Sequence, residues 1–147
     1  MMTLYIIMAT LVTMRILGID PGIATTGFGV IDVKGHKLLP ISFGAITTPA
    51  NLSVGQRLVM IESNLMTILT NYKPEVCAME EIFFSKNVKT AITVSHARGV
   101  MVFCMEKMGV PVFNYSPTAV KSSILGFGGA EKKQVQFMTK ELLRLDS

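Results

Sequence analysis

The sequence predicts an α/β fold: a five-stranded mixed sheet, three strands antiparallel and the later ones parallel, with helices on both faces. Three observations carry that expectation. Short apolar runs joined by tight turns fill residues 15–48, as in a meander of strands. From Val54 to Tyr72 the period changes, and Leu58, Ile61, Leu65, Ile68 and Leu69 recur at the spacing of three and four that puts one apolar stripe on a helix. After that helix comes EVCAME, a second short apolar run that, like the first, ends on a carboxylate.

The first run, Arg15 to Asp20, ends where Pro21-Gly22 turns the backbone. Asp20 therefore sits at the rim of a buried strand, where it either shapes the turn or holds a cation. Gly27-Phe28-Gly29-Val30-Ile31 alternates small and large residues, as a strand does when another element approaches its backbone. Lys34-Gly35-His36 supplies a hairpin turn into a third strand, Leu38 to Thr48, and Asn71-Tyr72-Lys73-Pro74 closes the first helix. Strand, helix, strand implies a right-handed crossover, so Glu75 to Glu80 is expected to lie parallel to the first strand and beside it. Asp20 and Glu80 would then project from the same edge of neighbouring strands about 4.8 Å apart. Carboxylates that close repel unless a metal or a proton lies between them.

A second helix is expected from about Thr90 to Met108, stopped by Gly109. Val110 to Tyr115 reads as the fifth strand, and Ser116-Pro117 as the cap and first turn of a short helix to Leu125. Gly126-Phe127-Gly128-Gly129 connects it to a last helix, Glu131 to Leu145, with Val135, Met138, Leu142 and Leu143 on one face. This order of elements is that of a ribonuclease H-type layer fold.

Composition fits one folded domain. Of 147 residues, 50% are hydrophobic and only 16% charged, enough to bury a core without staples and too apolar for disorder. The net charge of +4, with Lys and Arg in excess mainly after residue 85, is compatible with a phosphate-rich partner and equally with an ordinary surface. Cys77 and Cys104 lie in apolar runs without metal-binding spacing, which suits buried thiols in a reducing cytoplasm. Residues 1–13 are apolar, too short to span a bilayer and without the flanks of a signal peptide, and are expected to be an extension from an over-called start.

GIDPGIATTGFGVID, AMEEIFFSKN, HARGV and YSPTAVKSSILGFGGAEKKQVQFM, in this order from Met14 to Leu145, resemble the RuvC-type Holliday junction resolvases, the bacterial crossover junction endodeoxyribonucleases. The resemblance implies metal-dependent symmetric nicking of four-way junction DNA by a homodimer in recombination and repair, alongside a branch-migration motor of RuvA and RuvB type. It implies Asp20 and Glu80 as catalytic metal ligands, for two Mg²⁺ ions that Mn²⁺ can replace. Hard cations of this kind prefer oxygen donors. It also implies that Phe83 stacks on a junction base, while Phe84 beside it suits the core. Lys86, Lys121, Lys132 and Lys133 fall in regions where the family contacts phosphate. Arg98 would face DNA or brace a helix pair, and Gly99 would permit close helix approach at the dimer interface. His96 stands where the family usually has glutamine and is expected to be packed, and His36 is expected to be a turn residue.

The family continues into a further helix with two more acids, spaced Asp-x-x-Asp or His-x-x-Asp. Residues 14–147 are expected to lack it, because Glu131, Glu141 and Asp146 do not match and Asp32 lies at the far end of its strand. A fragment or interrupted reading frame of an active enzyme, a junction-binding remnant that no longer cuts, and acids supplied by another chain all account for this. The first of these is favoured, and the chain itself is expected to cut poorly or not at all. From a different class, GIDPG followed by TTG also resembles the phosphate loop of actin-like ATPases, although these need a second domain and an adenosine site. A plain scaffold is the remaining option, and the paired rim acids argue against it.

Overall fold

The computed structural model describes residues 13–82 and 88–145. Five strands, β1 (Thr13–Asp20), β2 (Thr25–Lys34), β3 (Lys37–Thr47), β4 (Val76–Glu80) and β5 (Val112–Tyr115), form one sheet in the order β3-β2-β1-β4-β5. Among the described residues four helices accompany them: α1 (Val54–Tyr72), α2 (Val88–Lys107), α3 (Pro117–Leu125) and α4 (Lys132–Leu143). β1, β2 and β3 pair antiparallel, while β4 runs parallel to β1 and β5 parallel to β4. The expected mixed sheet and its crossover are both present. The expected bounds shift by up to three residues: β2 runs on to Lys34, and β5 starts at Val112, where Pro111 before it offers no amide to the ladder.

Burial explains the layers. Leu17 and Ile19 of β1, Val30 of β2, and Cys77 and Met79 of β4 alternate onto one face and meet Ile61, Leu65 and Leu69 of α1 and Ala97, Met101, Cys104 and Met105 of α2. These buried side chains are the core, whose burial at about 25 cal/mol per Å² of apolar surface is the main drive to fold. Both thiols are fully enclosed in it, and burial pushes the Cys77 thiol up to about 12.

Each helix has a local stop and start. Ser53 accepts from the Gln56 amide while the Gln56 side chain accepts from the Ser53 amide, a reciprocal cap that opens α1. Lys73 closes it in the left-handed region at φ 49°, immediately before Pro74. Gly109, at φ +70°, follows α2 as expected. Ser116 caps α3 with Pro117 in its first turn. α3 and α4 bury none of their own residues, and the connection between them is anchored by Ala130, 2% exposed.

At the end of the sheet away from the β1 carboxyl terminus, Arg15 donates from Nε and Nη2 to the two Asp32 oxygens at 2.8 and 2.9 Å and from Nη1 to the Tyr72 carbonyl at 3.0 Å. One guanidinium therefore joins β1, β2 and the last carbonyls of α1. The paired guanidinium holds Asp32 below the usual carboxylate range.

Candidate active site

Both rim acids arrive where the strand pattern puts them. β1 alternates Leu17 and Ile19 into the core, so Gly18 and Asp20 face the opposite side; β4 does the same with Cys77 and Met79 inside and Ala78 and Glu80 opposite. The parallel register pairs Ile19 with Met79, which leaves Asp20 and Glu80 adjacent one residue further on. Small residues make room around them: Asp20 pairs with Gly27, and a Cβ on Gly27 would stand 3.7 Å from that of Asp20.

The pair lines a cavity of about 430 Å³ with Gly18, Gly27, Gly29 and Ala78 as its floor and Tyr115, Val120 of α3 and Thr139 of α4 around it. Asp20 reaches water at its tip, yet the apolar walls of this recess strip solvent from both carboxyls. Desolvation accordingly raises both above their ordinary values, and the neighbouring Asp20 charge raises Glu80 further. The opposing cations that act on them are Lys132, which lowers Asp20, and Lys121, which lowers Glu80. Lys133, beside Lys132 on the first turn of α4, is exposed.

Two carboxylates pushed together in a recess, each with its proton affinity raised, are a donor set suited to a hard divalent cation, which would replace their mutual repulsion with attraction. No group of three or more His, Cys, Asp or Glu residues that could hold a metal occurs among the described residues. Asp32 is bound to Arg15 at the other end of the sheet, as its strand position predicts.

Phe83, Phe84 and Lys86 lie outside the described residues. His96 is corrected: it is exposed on α2, because Ala97, Met101 and Cys104 take the core-facing positions. Arg98 braces a helix to a strand rather than to a second helix, its Nη2 donating to the Asn114 side chain and so joining α2 to β5. Gly99 is exposed, and a Cβ added there would meet nothing within 4 Å, so no described element of this chain packs on it. Sequence reasoning passed over Tyr115, which pairs with Glu80 at the end of β5 and is 46% exposed at the cavity. The signal was available, since any strand parallel to β4 must end at the same rim.

A ribonuclease H-like sheet with two acids on adjacent parallel strands at one rim defines the class as a nuclease domain of that fold. A family model described as crossover junction endodeoxyribonuclease RuvC matches residues 16–147. The RuvC of Brevibacillus brevis is 53% identical over 132 residues, covering 90% of this chain and 80% of its own. That of Caldanaerobacter subterraneus subsp. tengcongensis is 48% identical over 133 residues, covering 90% and 81%. Among solved structures, T. thermophilus RuvC in complex with a Holliday junction substrate superposes with a TM-score of 0.85 at 33% identity, over 91% of this chain and 82% of that one. The chain belongs to the RuvC family of crossover junction endodeoxyribonucleases. The family is one of metal-dependent nucleases that resolve Holliday junctions.

Proposed function

We propose that Asp20 and Glu80 are the metal ligands with which this chain takes part in nicking four-way junction DNA, with two Mg²⁺ ions as the native cofactor and Mn²⁺ as a substitute. The observation that carries this reading is the adjacency of the two acids on one face of β1 and β4, each with a lysine as an opposing charge. Divalent cations bound there would acidify an attacking water and neutralise the leaving oxygen of a phosphodiester. Asp20 and Glu80 would contribute carboxylate oxygens to the cations and fix the position of the scissile phosphate against the rim. Lys121 and Lys132 flank the recess and Lys133 extends the basic surface, so that the DNA backbone is drawn over the carboxylates despite their charge. By family resemblance, Phe83 would stack on an opened base and Lys86 would contact phosphate.

Two carboxylates supply few of the six oxygens that Mg²⁺ requires, so the described residues bind the junction and need further oxygen ligands from outside them to cut at full rate. Homodimerisation is supported by the outer face of α2, where Val88, Ile92 and Phe103 are 69%, 51% and 61% exposed and Gly99 is open between the last two. A homodimer would set two rims against the two symmetric strands of a junction, delivered by a motor of RuvA and RuvB type in the cytoplasm. No helix among the described residues is long and apolar enough to cross a membrane.

The test is incubation of the purified chain with an end-labelled four-way junction and Mg²⁺ or Mn²⁺. Tight binding of the junction over linear duplex, with slow nicking that disappears in Asp20→Asn, supports the reading. Equal affinity for duplex and junction, or nicking that survives Asp20→Asn, overturns it. The family match across residues 16–147 outweighs the phosphate-loop likeness to actin-like ATPases, whose distinguishing property would be ATP binding.

A further inference from the structure

Arg57 takes no part in the groups described so far. It is the fourth residue of α1 after the Ser53 cap, its side chain half-buried, and its Nε donates to Thr48 Oγ1 at 2.7 Å. The Thr48 residue is 7% exposed, and its hydroxyl donates in turn to the Ile23 carbonyl. The Thr48 amide donates to the Ala24 carbonyl at 3.0 Å, and the hydroxyl of Thr26, 1% exposed, donates to the Gly22 carbonyl at 2.6 Å. Three successive carbonyls of the loop that leaves Asp20 are thus tied down by two buried threonines, and the central tie has a guanidinium behind it.

Helix stability does not explain that guanidinium. A cation in the first turn faces the positive end of the helix dipole, so α1 by itself disfavours it. No carboxylate compensates, since the ion pair among the described residues is that of Arg15 with Asp32. What Arg57 does accomplish is to fix a rotor. A threonine hydroxyl has one proton and two lone pairs; with Nε filling a lone pair, the proton is directed to Ile23, and the donated bond strengthens the one passed on. Lysine would keep the charge and lose the planar N–H that makes this geometry.

We propose that Arg57 is a positioning residue that acts through Thr48 on the loop of residues 21–24, holding the Asp20 carboxylate beside Glu80 for metal binding. The inference rests on the reading of Asp20 and Glu80 as the metal pair. Loosening the Ile23 carbonyl frees the peptide units directly after Asp20, and the carboxylate then visits orientations that no longer share a cation with Glu80.

The experiment compares the full chain with Arg57→Lys, Thr48→Val, Thr48→Ser, the double variant Arg57→Lys/Thr48→Val, and Asp20→Asn. Circular dichroism first establishes which variants are folded, and Thr48→Ser, which keeps the hydroxyl, serves as the conservative rescue. Mn²⁺ affinity is read by electron paramagnetic resonance of the free ion, junction affinity by gel shift in EDTA, and amide exchange by mass spectrometry over residues 22–26 and 48. Arg57→Lys and Thr48→Val are each expected to weaken Mn²⁺ binding by about tenfold, the scale on which residues behind a metal ligand act. Thr48→Ser should stay within about twofold, and the double variant should be no weaker than Thr48→Val, as one chain of contacts requires. Exchange should quicken in the loop for both single variants while junction affinity in EDTA stays unchanged. Unchanged exchange in Arg57→Lys, or effects that multiply in the double variant, would overturn the proposal. Wild-type Mn²⁺ affinity equal to that of Asp20→Asn would instead refute the metal pair, and loop exchange would still report whether Arg57 acts through Thr48.

Discussion

Replacing Gly22 by alanine tests how rigidly the loop after Asp20 is built. A Cβ at this position would lie 2.1 Å from the Thr25 carbonyl oxygen and 3.2 Å from its carbon, against the 3.0 Å below which real Cβ contacts essentially do not occur. The obstacle is backbone, so no side-chain rotation relieves it. About 1 Å of movement must come from the loop itself, on the scale where overpacking costs roughly 1–3 kcal/mol. Such a movement also breaks at least one of the carbonyl ties from Thr26 and Thr48, and a partly buried carbonyl left without its partner costs up to roughly 1–3 kcal/mol more. The expected loss is therefore about 2–6 kcal/mol. The chain contains no tryptophan, so urea unfolding is followed by far-ultraviolet circular dichroism. For a denaturant slope of about 2 kcal/mol per molar, the midpoint should fall by roughly 1–3 M with the slope unchanged. Gly29→Ala is the control, since a Cβ there meets nothing within 4 Å, and its midpoint should stay close to that of the parent. A Gly22→Ala midpoint indistinguishable from wild type would refute the reasoning.

Stability should also depend on pH through Asp32. Its carboxyl is held below its unfolded value by the Arg15 guanidinium, so its contribution is present above the unfolded value near pH 4 and is lost as pH falls through the folded one. Asp32→Asn should lower the urea midpoint at pH 7, by an amount discounted for the 33% exposure of the Arg15 side chain, and flatten the acid limb; an unchanged acid limb would contradict the assignment. Glu80→Gln should abolish Mg²⁺-dependent nicking and tighten junction binding in EDTA, because one charge facing the phosphates is removed; weaker binding would argue against that placement. Lys121→Ala and Lys132→Ala should each reduce the slope of junction affinity against salt by about one, measured by gel shift over a salt series. The native protein should leave both thiols unreacted with an aromatic disulfide and release two equivalents of thiolate in urea; fast native reaction would mean that Cys77 or Cys104 is not enclosed as the fold places it.

The sheet and the rim pair were legible because their signals are local and periodic. The alternation through Leu17, Ile19, Cys77 and Met79 fixes which face each acid takes, and the crossover rule places β4 beside β1 from the order of elements alone. The α1 stripe was equally plain, and Ile61, Leu65, Ile68 and Leu69 are its buried residues. Contacts made across the fold were not legible. Arg57, Thr48 and Ile23 are far apart in sequence, and no spacing rule joins a first-turn arginine to a strand-end threonine and a loop carbonyl. His96 misled because a helical histidine among apolar neighbours reads as packed, whereas α2 turns Ala97 inward and His96 outward. Arg98 stayed ambiguous for a similar reason, since its partner Asn114 becomes visible only when β5 is laid beside β4.

The hairpin of β2 and β3 offers a practical dividend. Its turn at Gly35 and His36 sits at the opposite end of β3 from Thr47, and a strand of 11 residues spans about 35 Å. With both native cysteines enclosed, a single cysteine introduced by His36→Cys would take a fluorophore selectively and, because Asp20 pairs with Gly27 part-way along β2, hold it about 25 Å from Asp20 and Glu80. Energy transfer to a dye on one arm of a junction would then report how the DNA lies across the sheet without a label touching the carboxylates.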